Sequence, residues 1–160
     1  MLKTGIKRYL LDIILFGILY ALIFAGLMYF VYPIESRDVT TLSELIATTL
    51  GSAFFYGAFS GLFTGTAASF WVNRRDYSSS ITIGLYTGIF SAIIGSIFFP
   101  LFGALIRVIY FGINPADWVL EIAFLVNLSI IGAFPGIFVS MIAGIVGGII
   151  AADFGKTLEV

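Results

Sequence analysis

The chain has 160 residues, of which 60% are hydrophobic and 11% charged, and its formal net charge at pH 7 is −1. Soluble domains carry about a quarter charged residues, so this composition predicts an integral membrane protein, and the balanced charge offers no basic surface to nucleic acid. Cysteine and histidine are both absent, which excludes disulfides, thiolate and imidazole metal ligands, thiol nucleophiles and Ser-His-Asp catalysis.

Four apolar stretches follow one another, and a helix needs about 20 apolar residues to cross a bilayer. We predict transmembrane helices at residues 9–32, 45–72, 81–100 and 119–152. The first stretch superficially resembles a signal peptide, but it is about twice as long as a signal h-region, so we expect a retained helix. The third stays apolar beyond Pro100, and residues 101–112 form either its continuation or a short interfacial helix.

The fourth stretch is too long for the hydrocarbon core. At 1.5 Å per residue it would extend roughly 50 Å, against a core of about 30 Å. We expect tilt, a kink at Pro135 or protrusion past the headgroups to absorb the excess.

The loop charges predict the orientation of the chain. Basic residues precede the first stretch and follow the second, whereas the other two connections are mainly acidic. This alternation predicts four crossings of the cell membrane with both termini cytoplasmic. The basic set is Lys3, Lys7, Arg8, Arg74 and Arg75, and the acidic set is Glu35, Asp38, Glu44, Asp117 and Glu121, with Arg37 beside the first two acids.

Small residues recur every four positions within the apolar stretches, and such ridges let helices approach closely in lipid. Successive positions drift about 40° around a helix of 3.6 residues per turn. The outer and inner glycines of the fourth helix should therefore contact different helices, or one helix that crosses in the right-handed sense. We expect the inner pair to face a partner protein. The predicted helix-packing residues are Gly57, Gly61, Gly65, Gly84, Gly88, Gly132, Gly136, Gly144 and Gly148.

Two segments of these ridges resemble each other. Residues 57–69 align without gaps to residues 132–144, with identity at six of thirteen positions and an offset of 75. A duplication of residues 1–75 as 76–150 would give two parallel helical hairpins, related by a pseudo-two-fold axis along the membrane normal. Coincidence in a chain rich in glycine, alanine and phenylalanine is the alternative.

Four polar residues near or within the helices are candidates for a pathway or a partner. Glu44 and Glu121 could form an acidic mouth that attracts cations, or could simply complement the dipoles of the helices they begin. Arg107 could hold an anionic group, although snorkelling or pairing with Glu121 or Asp117 is favoured. Asn127 lies inside the fourth stretch, so its amide should bond to another helix.

The composition favours a non-catalytic membrane protein without metal or cofactor. We expect it to pack through small-residue faces, as a self-associating module or as a subunit of a membrane complex. The alternative is a small channel or transporter between the hairpins. Six hydroxyl residues could line its pathway, or could instead bond to backbone carbonyls and pack; they are Ser60, Thr64, Thr66, Ser91, Ser96 and Ser140.

Overall fold

Four long helices make up the fold in the computed structural model, which describes the backbone of residues 2–31, 41–75, 80–112 and 117–157. No strand occurs in those four ranges. The first and third helices each end in a short π-helical turn. The elements are α1 (Leu2–Gly26, then the π turn Leu27–Val31), α2 (Leu42–Arg75), α3 (Ser80–Ile106, then the π turn Arg107–Phe111) and α4 (Trp118–Thr157).

All four helices are long and apolar enough to cross a membrane, which confirms the predicted number of spans. The hydrocarbon core leaves backbone groups no solvent partner, so such spans must be continuous helices. Their apolar spans are Tyr9–Val31, Leu42–Arg74, Ile81–Phe111 and Trp118–Ala151.

Helix α2 begins earlier than the apolar stretch suggested because polar residues cap it. The hydroxyl of Thr41 accepts a hydrogen bond from the Glu44 backbone N–H at 3.2 Å, and the Glu44 carboxylate accepts one from the Thr41 N–H at 3.2 Å. This reciprocal pair is a capping box, which satisfies two backbone donors at the helix start.

Neither internal proline ends its helix. α3 continues through Pro100, so residues 101–111 extend this helix and do not form a separate interfacial one, and α4 continues through Pro135. Neighbouring helices in a membrane support the backbone where proline removes a donor.

The two hairpins pack unequally. α3 contacts α4 from Gly84 opposite Gly144 to Gly103 opposite Leu125, whereas α1 contacts α2 much less. The parallel helices also cross one another, α2 against α4 and α1 against α3. We call the end where α2 and α4 begin the acidic end, and the opposite end the basic end.

Candidate functional site: the helix-packing interface and its polar flanks

Glycines bring α2 and α4 into backbone contact. Gly57 faces Gly132, Gly61 faces Gly136 and Gly65 faces Ser140. A methyl group added to any of the three α2 glycines would collide with the backbone carbonyl oxygen of the facing residue. We call these six residues the glycine crossing. Each facing pair is 75 positions apart in the sequence, which is also the offset of the aligned segments.

Aromatic side chains from α1 cover the glycine crossing towards the acidic end. A methyl group on Gly132 would lie 2.5 Å from the Phe24 ring, and one on Gly136 would collide with the Tyr20 hydroxyl. That hydroxyl donates a hydrogen bond to the Gly57 carbonyl at 3.4 Å. The Phe24 ring centroid lies 4.2 Å from that of Phe99 and 5.5 Å from that of Tyr56. We call the four fully buried rings of Tyr20, Phe24, Tyr56 and Phe99 the aromatic plug.

Gly144, an inner glycine of α4, packs against α3 as well as α2. Gly144 faces Gly84 of α3, and Ser140 donates a hydrogen bond to the Gly88 carbonyl at 2.8 Å. Ser69 of α2 donates to the Gly144 carbonyl from the other side. The expectation that this inner part of α4 faces a partner protein is therefore wrong at Gly144, because α2 and α3 already cover it. Gly148 is buried as well.

A polar cluster joins α1, α3 and α4 at the acidic end. Arg107 Nε lies 3.7 Å from Glu121 Oε1, which also accepts a hydrogen bond from the Tyr29 hydroxyl at 3.5 Å. The Arg107 guanidinium lies 5.3 Å from the Phe111 ring centroid, and that ring stacks on Tyr29 at 5.6 Å. We call these four residues the acidic-end cluster. Arg107 thus pairs with Glu121, one of the two acids that the sequence offered as its partner.

Glu44 has a different role from Glu121. It is exposed and caps α2, whereas Glu121 is four-fifths buried beside Arg107. The described contacts therefore join Glu121 to a cluster and Glu44 to its own helix start, which fits the interpretation of Glu44 as a helix-start acid.

Among the described residues, Asn127 bonds to its own helix and to no other helix. Its side chain is exposed, and its amide donates to the Ala123 carbonyl of the same helix at 2.9 Å. The prediction of an interhelical bond is wrong for the part of the chain that the structure describes. Sequence position alone could not indicate which face of α4 the other helices cover.

Most of the six candidate pathway hydroxyls bond to backbone carbonyls. Thr64, Thr66 and Ser96 donate to the carbonyl four residues earlier, and Ser140 bonds across to α3. The buried hydroxyls of Ser60 and Ser91 have no hydrogen-bond partner among the described residues, and neither does that of Ser52.

Tyr20 and Phe24 are the packing residues that sequence reasoning missed. The two lie four residues apart on α1, and each immediately precedes a small residue, Ala21 and Ala25 respectively. This adjacency is the signal that could have found them, because a ring next to a small-residue ridge lies at the contact. Aromatic residues of an apolar helix can equally face lipid, as the exposed Phe134 does.

Four helices long and apolar enough to cross a membrane indicate a multi-pass helical membrane protein. The chain matches no protein-family model, no curated protein and no solved structure.

Proposed function

We propose that this chain is a non-catalytic, multi-pass protein of the cell membrane that acts by packing, either as a self-associating module or as a subunit of a membrane complex. The observation that carries the proposal is how the interior is filled. The glycine crossing places backbone against backbone, and the aromatic plug occupies the space beside it. Both arrangements favour a rigid structural unit over a body built around a substrate.

An internal duplication is supported by where the parallel helices meet. α2 and α4 face each other at residues 75 positions apart, and so do α1 and α3 at Tyr20 beside Gly95 and Phe24 on Phe99. Parallel copies related by a two-fold axis meet at equivalent residues, as in symmetric glycine-packed helix pairs. The two hairpins pack unequally, α3 against α4 more extensively than α1 against α2. A two-fold relation would therefore hold where the parallel helices cross and not within the hairpins.

The cytoplasmic placement of both termini remains part of the proposal. Arg74 is exposed at the basic end, and Glu44 and Glu121 begin α2 and α4 at the acidic end. The positive-inside bias then favours a cytoplasmic basic end. Residues 35–38 and the side chains of Lys3, Lys7, Arg8 and Arg75, which contribute to the same prediction, lie outside the described residues.

Single-cysteine labelling tests the packed interior, and the absence of native cysteine makes each label unambiguous. We expect Ser60→Cys and Ser91→Cys in native membranes to resist a small water-soluble thiol reagent, because both positions are fully buried. Thr41→Cys at the exposed start of α2 is the reactive control. Rapid labelling of both buried positions would contradict the proposal and indicate a hydrated interior.

A small channel or transporter is the second candidate, and the unpartnered hydroxyls favour it. α2 and α3 are antiparallel and Ser69 lies against Gly84, so Ser60 and Ser91 lie at about the same depth. Buried hydroxyls without partners are costly unless water reaches them. Reconstituted liposomes that pass ions or small solutes, with flux reduced by Ser60→Val, would support this function over the first.

A further inference from the structure

Asn127 is a polar side chain on an apolar, uncovered surface. It lies six residues after Glu121, which is about 9 Å further along the helix axis, in the apolar part of α4. Its bond to the Ala123 carbonyl uses one N–H. The second N–H and the side-chain oxygen need partners that lipid tails do not offer, and an unsatisfied polar group in hydrocarbon is costly.

The exposed residues around Asn127 follow the spacing of a helix-pairing seam. They recur at alternating intervals of three and four positions, which is the spacing of the a and d positions of a left-handed helix pair. All five are exposed, as are Ile122, Phe124 and Val126 on the same segment, so the spacing and Asn127 distinguish the set. We call this set the α4 stripe: Leu120, Ala123, Asn127, Ile130 and Phe134.

A carboxamide is complementary to itself because it carries both a donor and an acceptor. In a symmetric parallel pair of helices each a-position residue lies opposite its own copy, so two Asn127 side chains can bond to each other. A single asparagine at such a position fixes register and the number of helices. Ala123, one turn nearer the acidic end, keeps the two helices close at that level.

We infer that two copies of this chain pair in the membrane along the α4 stripe, with the Asn127 side chains hydrogen-bonded across the two-fold axis. The inference rests on the proposed function and deepens it, because it names the partner of the packing module as a second copy. It also explains why Asn127, which we expected to bond to another helix, bonds to no other helix among the described residues of its own chain.

Disulfide cross-linking of the full chain in native membranes locates the seam. We expect Ala123→Cys and Ile130→Cys to form oxidant-dependent dimers. Ile122→Cys and Val126→Cys are matched controls, since they are exposed on the same helix segment but lie off the stripe, and should cross-link weakly. Equal cross-linking at all four positions, or none at the stripe, would overturn the inference.

Substitution of Asn127 tests the hydrogen bond. In liposomes, measured by energy transfer between labelled copies over a range of protein-to-lipid ratios, we expect Asn127→Leu to weaken the dimer roughly five- to thirtyfold. Asn127→Gln should retain most of the affinity because it keeps the carboxamide, and Val126→Leu should have no effect. Thermal unfolding of each variant checks that folding is intact.

The remaining outcomes separate this inference from the proposed function. A dimer that Asn127→Leu leaves unchanged, or a monomer at every ratio, would overturn pairing through α4, as would an α4 stripe that cross-links only to a different protein. The packed interior would still stand if Ser60→Cys and Ser91→Cys remain unreactive, because those positions lie away from the stripe.

Discussion

The two crossings of parallel helices in this fold are built from different kinds of residue. Where α2 meets α4, glycine faces glycine or serine, and a backbone carbonyl fills the space that a side chain would take. Where α1 meets α3, a small residue of one helix packs against a large side chain of the other. A methyl group on Gly95 would lie 2.5 Å from the Tyr20 ring, and one on Gly17 the same distance from Ile94.

The difference shows that close packing in lipid can be rigid or adjustable. Helices in a bilayer gain little from the hydrophobic effect and depend on van der Waals contact and hydrogen bonds. At the glycine crossing both contact surfaces are backbone, which cannot rotate away from an added atom. At the crossing of α1 and α3, which we call the aromatic crossing, the atoms nearest to Gly17 and Gly95 belong to side chains, which can change rotamer and absorb a change of volume.

The largest expected effect comes from adding bulk at the glycine crossing. A side chain at Gly61 would collide with the Gly136 carbonyl, so we expect Gly61→Ile and Gly136→Ile each to abolish folding or lower the stability by more than about 3 kcal/mol. Thermal unfolding in mild detergent measures the loss.

Gly51→Ile is the matched control on the same helix. Gly51 is exposed, and a methyl group there meets nothing within 4 Å. We expect its stability to change little. If Gly61→Ile and Gly136→Ile both behaved like Gly51→Ile, the glycine crossing would not be a tight packing surface.

Removing a ring from the aromatic crossing should lower the stability less than adding bulk at the glycine crossing. The loss should depend on the size of the side chain that replaces the ring. Phe24 is fully buried against Phe99, Tyr56 and Gly132. We expect Phe24→Ala to destabilise by about 3 kcal/mol through the cavity it leaves, and Phe24→Leu by about 1 kcal/mol. Unfolding by a denaturing detergent gives both values. Equal losses for the two variants would show that this crossing is as rigid as the glycine crossing.

Much of this architecture could be predicted from the sequence because lipid restricts the choices. Spans in hydrocarbon must be helices, so apolar stretches locate all four. The four-residue spacing indicated that Gly144 meets a helix that Gly132 and Gly136 do not, because the drift around a helix follows from its geometry. It could not show which neighbour covers each face, and so Gly144 was assigned to a partner although α3 lies against it.

Polar residues were harder to predict because their environment depends on tertiary contacts. The shared side of the membrane narrowed the partner of Arg107 to Glu121 or Asp117, and the structure pairs it with Glu121. Asn127 could not be assigned to an uncovered face, since depth along a helix does not indicate which face other helices cover. The buried position of Tyr20 could not be predicted, because an aromatic residue in an apolar stretch fits lipid and core equally well.

A smaller effect is expected where the two crossings touch. The Tyr20 hydroxyl bonds to the Gly57 carbonyl and occupies the space beside Gly136. We expect Tyr20→Phe to cost about 1 kcal/mol, the usual value of one hydrogen bond. Gly136→Ala should be less harmful in the Tyr20→Phe background than alone, because its closest collision is with that hydroxyl. A double-mutant cycle on unfolding measures the coupling, and strict additivity would contradict the contact.

The smallest effect is expected at the acidic-end cluster, where the aromatic crossing reaches the bundle surface. Arg107 and Glu121 are 3.7 Å apart, which is longer than the roughly 2.7–2.9 Å of a charge-assisted hydrogen bond, so little of that bond's energy is formed. A glutamine at position 121 keeps an oxygen that can accept from Tyr29, so we expect Glu121→Gln to cost about 0.5 kcal/mol or less. Glu44→Gln is the control, since glutamine also completes a capping box. A loss at Glu121 as large as that of Phe24→Ala would mean that the ion pair, and not the ring packing, holds α3 and α4 together at this end.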